Sequence, residues 1–141
     1  MSMQDIKNAL IKKLSLILPE LPVYDEAVEQ GMQQPCFFVL LMEGNQARGI
    51  NRRRQRFNSF DVHYFPDRDA APREACELMA ERLYAEIEYL TGSEGGYRGT
   101  GMRHEIVDGI LHFFVQYNYH LFRERDPEVK MQTMTQGGGL K

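Results

Sequence analysis

Cysteine is scarce in this chain. Cys36 and Cys76 are its only two thiols in 141 residues. Their wide separation makes neither a disulfide framework nor a zinc spacing, so both are expected as buried, reduced thiols. Long apolar runs are also missing. The longest, Cys36 to Met42 and Leu14 to Leu18 with Ser15 inside it, fall far short of the roughly 20 residues that a membrane span needs. No basic stretch followed by an apolar one opens the chain, so no secretory leader and no membrane partner are expected. Excess positive charge is lacking too. The net charge of −3 argues against nucleic-acid binding through bulk electrostatics. No G-x-S-x-G elbow and no G-x-x-x-x-G-K-[ST] phosphate loop occurs. No pair of carboxylates has a spacing suited to general acid–base work. An enzyme is therefore not expected, and neither is a cofactor.

What is present suits one small domain with an ordinary core: 43% apolar and 26% charged residues. Met3 to Leu18 reads as a helix, because Ile6, Leu10, Leu14 and Ile17 share one face and Pro19 stops it. Val23 to Asp25 suits a short strand. Cys36 to Met42, bounded by Pro35 and Gly44, suits a strand buried on both faces. Asn45 to Arg56 reads as a loop or hairpin extension. Phe57 to Phe65 alternates, with Phe60, Val62 and Tyr64 on one side and Ser59, Asp61 and His63 on the other. A second helix is expected from about Ala70 to Leu90, with Cys76, Met79, Ala80, Leu83, Ile87 and Leu90 as its apolar stripe.

Five glycines between Gly92 and Gly101 point to a mobile loop or an irregular strand edge. The segment lacks the lysine and the following helix of a phosphate cradle. Two strands, Met102 to Val107 and Ile110 to Arg123, flank Asp108-Gly109, a strong hairpin signal because a type I′ turn needs two residues at positive φ. The expected fold is α+β: an antiparallel or mixed sheet with two main helices packed on one face, over residues 1–125. Residues 126–141 are expected as a flexible C-terminal tail.

Histidine chemistry is the costlier possibility. His112 and His120 share strand parity, but eight residues of strand separate them by about 26 Å at about 3.3 Å per residue. If Val107 pairs with Ile110, Glu105 lies opposite His112. That could be a ligand or acid–base pair, but the sequence places no third ligand, and a half-exposed surface pair is expected with no metal.

The sharpest local feature is a run of arginines. Arg48, Arg52, Arg53, Arg54 and Arg56 carry five positive charges with no acid among them. The remainder therefore carries −8, which is −3 minus +5. Its acidic part includes Asp25, Glu26 and Glu29, and then Glu74, Glu77, Glu81, Glu86 and Glu88. The arginines could be a solvated loop, a contact with an acidic surface of a neighbouring protein copy, or a contact with phosphates. Few aromatics interleave with them, unlike the stacking platforms of single-strand binders. The last strand adds a second clue. Its more polar face still carries Phe114 and Phe122, which suits cover by a helix or another subunit.

The segment Pro35-Cys36-Phe37-Phe38-Val39-Leu40-Leu41, followed by Arg52-Arg53-Arg54 and by Ser59-Phe60-Asp61-Val62-His63-Tyr64-Phe65-Pro66, resembles a family of small phage proteins, the tail terminators or minor tail proteins. These accompany contractile tails and the defective, phage-like particles of Gram-positive bacteria. Asp5-Ile6-Lys7-Asn8-Ala9-Leu10, Val23-Tyr24 and Gln30-Gly31 are also similar, so the resemblance spans roughly residues 3–125.

The resemblance implies a homo-oligomeric ring, commonly a hexamer, on the head-proximal end of the virion tail, made in the host bacterial cytoplasm. Such a ring ends tube polymerisation. Its implied partners are itself, the tail tube protein, and the sheath and head-connector proteins, with DNA met only in passage through the lumen. The family brings no catalytic, metal or cofactor residues. A head-completion or head–tail joining protein is the alternative, and a nucleic-acid-binding module using Arg48 to Arg56 is a more distant one.

Overall fold

The computed structural model describes residues 1–25, 33–50, 53–67 and 71–122. The expected tail 126–141, the acidic residues Glu26 and Glu29, Arg52, and the expected helix start at Ala70 lie outside the described residues.

Helix α1 spans Met3–Ile17. The Ser2 side chain caps it by accepting from the Asp5 backbone N–H at 3.1 Å, which satisfies one of the unpaired donors of the first turn. Its buried side is the expected stripe of Ile6, Leu10, Leu14 and Ile17, joined by Ala9. At the other end, an Arg82 guanidinium nitrogen donates to the Ile17 carbonyl at 3.0 Å, placing a cation where the helix dipole is negative.

Six strands form one sheet: β1 (Val23–Tyr24), β2 (Cys36–Arg48), β3 (Arg53–Phe65), β4 (Tyr89–Thr91), β5 (Gly96–Val107) and β6 (Ile110–Phe122). Their spatial order is β1-β2-β3-β6-β5-β4. β1 runs parallel to β2 and the other pairs are antiparallel, so the sheet is mixed. One face of it carries Phe37, Val39, Phe60, Val62, Tyr64, Leu111, Phe113, Val115, Tyr117 and Tyr119, in a single cluster with the apolar sides of both helices. The fold is α+β with both helices on that face, as expected.

Three local expectations are corrected or narrowed. Helix α2 spans Pro72–Glu86, shorter than the apolar stripe suggested. Ile87 and Leu90 are buried, but Leu90 reaches the core from β4, which is paired with β5. A helical stripe and a strand that continues into the same core leave similar apolar marks, so spacing alone does not separate them. Second, of the two alternatives for the glycine-rich segment, the irregular strand holds and the mobile loop does not, since most of the segment belongs to β5. A Cβ at Gly99 would meet Val115 Cγ2 at 2.8 Å, so the glycine permits close approach to β6. Gly101, at φ 59°, sits where the β5–β6 register shifts. Third, β2 is buried on both faces only at its start: Cys36 and Phe37 are both buried, but farther along the face of Cys36 and Phe38, Leu40 is 43% exposed.

The turn at Asp108-Gly109 is as expected. Val107 pairs with Ile110, and Asp108 and Gly109 take φ of 52° and 76°.

Candidate functional site

Strands β2 and β3 run on as a hairpin arm, and β6 accompanies β3 along it as far as the Arg53–Phe122 pair. From Met42 to Arg48 every residue of β2 is exposed. Arg48 pairs directly with Arg54 across the ladder, which sets two like charges side by side. The described arginines are therefore strand residues, and only Gly49 to Arg52 connect the strands. The Gly49 N–H donates to the Arg53 carbonyl at 2.8 Å and closes that turn. Ile50 is 81% exposed at the tip. Arg56 is committed within the chain. Its Nε and Nη2 donate to Gln46 Oε1 at 3.0 and 2.9 Å, and its guanidinium lies 5.8 Å from the Tyr119 ring centroid. Arg53 is exposed and Arg54 half-buried. No carboxylate occurs between Gly44 and Phe60. Exposed acids lie on α2, at Glu74, Glu77, Glu81 and Glu86.

The sheet face opposite the helices carries two rows that run across four strands. One is Leu40, Asp61, Phe114 and Arg103; the next is Phe38, His63, His112 and Glu105. Glu105 thus lies opposite His112, as the turn register requires. Phe114 is half-buried, stacks on His112 and lies 4.0 Å beneath the Arg103 guanidinium. Phe122 pairs with Arg53 at the far end of β6, so the two aromatic candidates mark separate places.

The register also assembles a group that sequence reasoning missed. Asp61 is only 6% exposed on this open face. Its Oδ2 lies 2.8 Å from His63 Nε2 and 3.3 Å from His112 Nδ1, and the two imidazole centroids are 4.4 Å apart. Asp61 Oδ1 is buried with no hydrogen-bond donor among the described residues. The partners of His112 come from β3 rather than from the neighbouring arm of its own hairpin. The available signal was the Asp-x-His alternation in β3, but the β3–β6 pairing needed to use it is not local.

A second buried carboxylate is fully occupied. Asp5 accepts from Ser93 N–H and Oγ at 2.9 Å each, from Glu94 N–H at 3.0 Å and from Tyr97 Oη at 2.7 Å. The Tyr97 bond, aided by the backbone and Ser93 donors and opposed by burial, lowers its pKa to about 2. A Cβ at Gly92 would collide with this carboxylate, so the glycine makes room for the junction. Burial, with the Asp5 charge beside it, pushes the Tyr97 phenol up.

Comparison with known proteins gives a clear family match. A model of the family described as phage tail terminator protein matches residues 5–129. No curated protein matches the chain. A solved structure with 18% sequence identity aligns over 89% of this chain and 99% of its own, with a TM-score of 0.47.

Proposed function

The chain belongs to the phage tail terminator family, and from that membership we propose that it forms a homo-oligomeric ring that caps the head-proximal end of the tail tube. The family is structural rather than enzymatic and belongs to the virion tail, with a role in tail assembly. In the proposed role the ring, a hexamer by family habit, ends tube polymerisation. It also offers a joining surface to the head connector and, in a contractile tail, to the last sheath ring. The protein is made in the host bacterial cytoplasm and meets DNA only as it passes through the ring lumen.

The family match over nearly the whole described domain carries this reading. The charge layout supports it. A ring needs heterologous contacts in which one side of a subunit meets a different side of the next. A basic hairpin arm and an acidic outer side of α2 offer complementary partners for such a contact.

Electron microscopy of particles produced without this protein tests the role. Tails of abnormal, uncontrolled length are expected. Tails of normal length that fail to acquire heads would overturn the capping role in favour of a head–tail joining protein.

A further inference from the structure

The geometry points to a binding site for one divalent transition-metal ion of the zinc class on the open face of the sheet, with Asp61, His63 and His112 as its protein ligands. One ligand atom from each lies within 4.8 Å of the others. Zinc bonds of about 2.0–2.2 Å to nitrogen and oxygen place tetrahedral ligand atoms roughly 3.3–3.5 Å apart. The 2.8 and 3.3 Å separations from Asp61 Oδ2 to the two imidazole nitrogens need only a small opening to reach that spacing. Two imidazoles and one carboxylate suit zinc and its transition-metal neighbours, whereas magnesium and calcium take oxygen ligands.

The frame is rigid. Asp61 and His63 are alternate residues of β3, and His112 is paired with His63 from β6, so all three rise from the two central strands. The rings are held from the side. Phe38 stacks against His63 with centroids 5.8 Å apart, and His112 stacks against Phe114 at an interplanar angle of 17°. Held rings of this kind reduce the ordering that metal binding requires.

An unmet bonding demand gives a second, independent indication. Three buried side-chain oxygens among the described residues lack a donor, and Asp61 Oδ1 is the one that belongs to an ionisable group. Asp5, of similar burial, has four donors. A buried carboxylate with an idle oxygen is incompletely satisfied, and a cation bound to that carboxylate offsets the cost of burying it. Three protein ligands leave one coordination position, which a water molecule can fill.

Tag-free, full-length protein titrated with zinc chloride tests the site. Calorimetry should show one ion per chain, and cobalt should give the visible absorption of a tetrahedral centre. NMR of the imidazole nitrogens should report zinc at His63 Nε2 and His112 Nδ1, with His104 and His120 unmoved. His112→Gln and Asp61→Asn should each weaken zinc by about 100-fold or more, since loss of an outer-sphere partner alone costs about 10–100-fold. His104→Gln, which alters a hydrogen bond to Tyr84 elsewhere, should leave zinc affinity unchanged. Absence of stoichiometric zinc in the wild-type protein would overturn the proposal. So would affinity that survives His112→Gln, or NMR changes centred on His104 or His120. The NMR readout uses the wild-type chain and stands even if a variant folds poorly.

Discussion

The Tyr97 hydroxyl donates to Asp5 Oδ2 at 2.7 Å and so ties β5 to the first turn of α1 across 92 positions of sequence. Ser93 and Glu94 complete the grip on the carboxylate.

This junction sets a pH dependence. The folded-state pKa of Asp5, about 2, lies below its ordinary value of 3.8. The contribution of Asp5 to stability is therefore fully present above about pH 4 and is lost as pH falls through about 2. Asp5→Asn should be less stable than the wild type at pH 6, and the gap should narrow as the pH drops toward 2. Urea unfolding of both proteins across that range measures it. A gap of constant size would show that the carboxylate charge does not matter here.

The turn between β5 and β6 gives a second prediction. A Cβ at Gly109 would meet nothing closer than Pro72 Cβ at 3.6 Å, so space permits a side chain and only the φ of 76° resists one. Gly109→Val should cost about 1–3 kcal/mol. Gly109→Asn should cost less, because asparagine tolerates that region. Thermal unfolding of the two variants separates strain from crowding, since equal losses would point to the Pro72 contact.

The third prediction concerns the basic arm. Arg53 and Arg54 lie outside the apolar core, and surface substitutions usually stay within about 0.5 kcal/mol. Replacing Arg52, Arg53 and Arg54 by Ser should leave a folded monomer by circular dichroism. On the proposed role, it should weaken ring assembly or tube capping, most visibly at high ionic strength. Bidentate arginine–carboxylate pairs suit such a contact and lysine replaces them poorly, so a triple lysine variant should restore assembly only in part. A serine variant that caps tails of normal length would reduce the arm to solvated surface. DNA binding by the wild-type arm with a steep salt dependence, while assembly is unaffected, would favour the phosphate reading.

Arg56 stands apart from this test. Its guanidinium is held by Gln46 and lies near Tyr119, so its removal acts on the arm itself. The sequence presents it as one of five equivalent charges, and only the pairing of β2, β3 and β6 distinguishes it.

Read alone, the chain determined the elements whose cause is local. The four-and-three spacing of Ile6, Leu10, Leu14 and Ile17 marks the buried side of α1. The alternation in β3 and β6 marks their core side, and Asp108-Gly109 marks the turn between two strands. The family was legible as well, through resembling segments most of which fall on α1, β1, β2 and β3. Tertiary structure alone decided where α2 ends, and it chose strand over loop for both the glycine-rich segment and the arginine run. It alone brought Asp5 to Tyr97, and Asp61 and His63 to His112. Periodicity reports which side of an element faces the core but carries no information about which distant element lies beside it. That choice is made by packing the whole sheet against both helices, and both buried carboxylates depend on it.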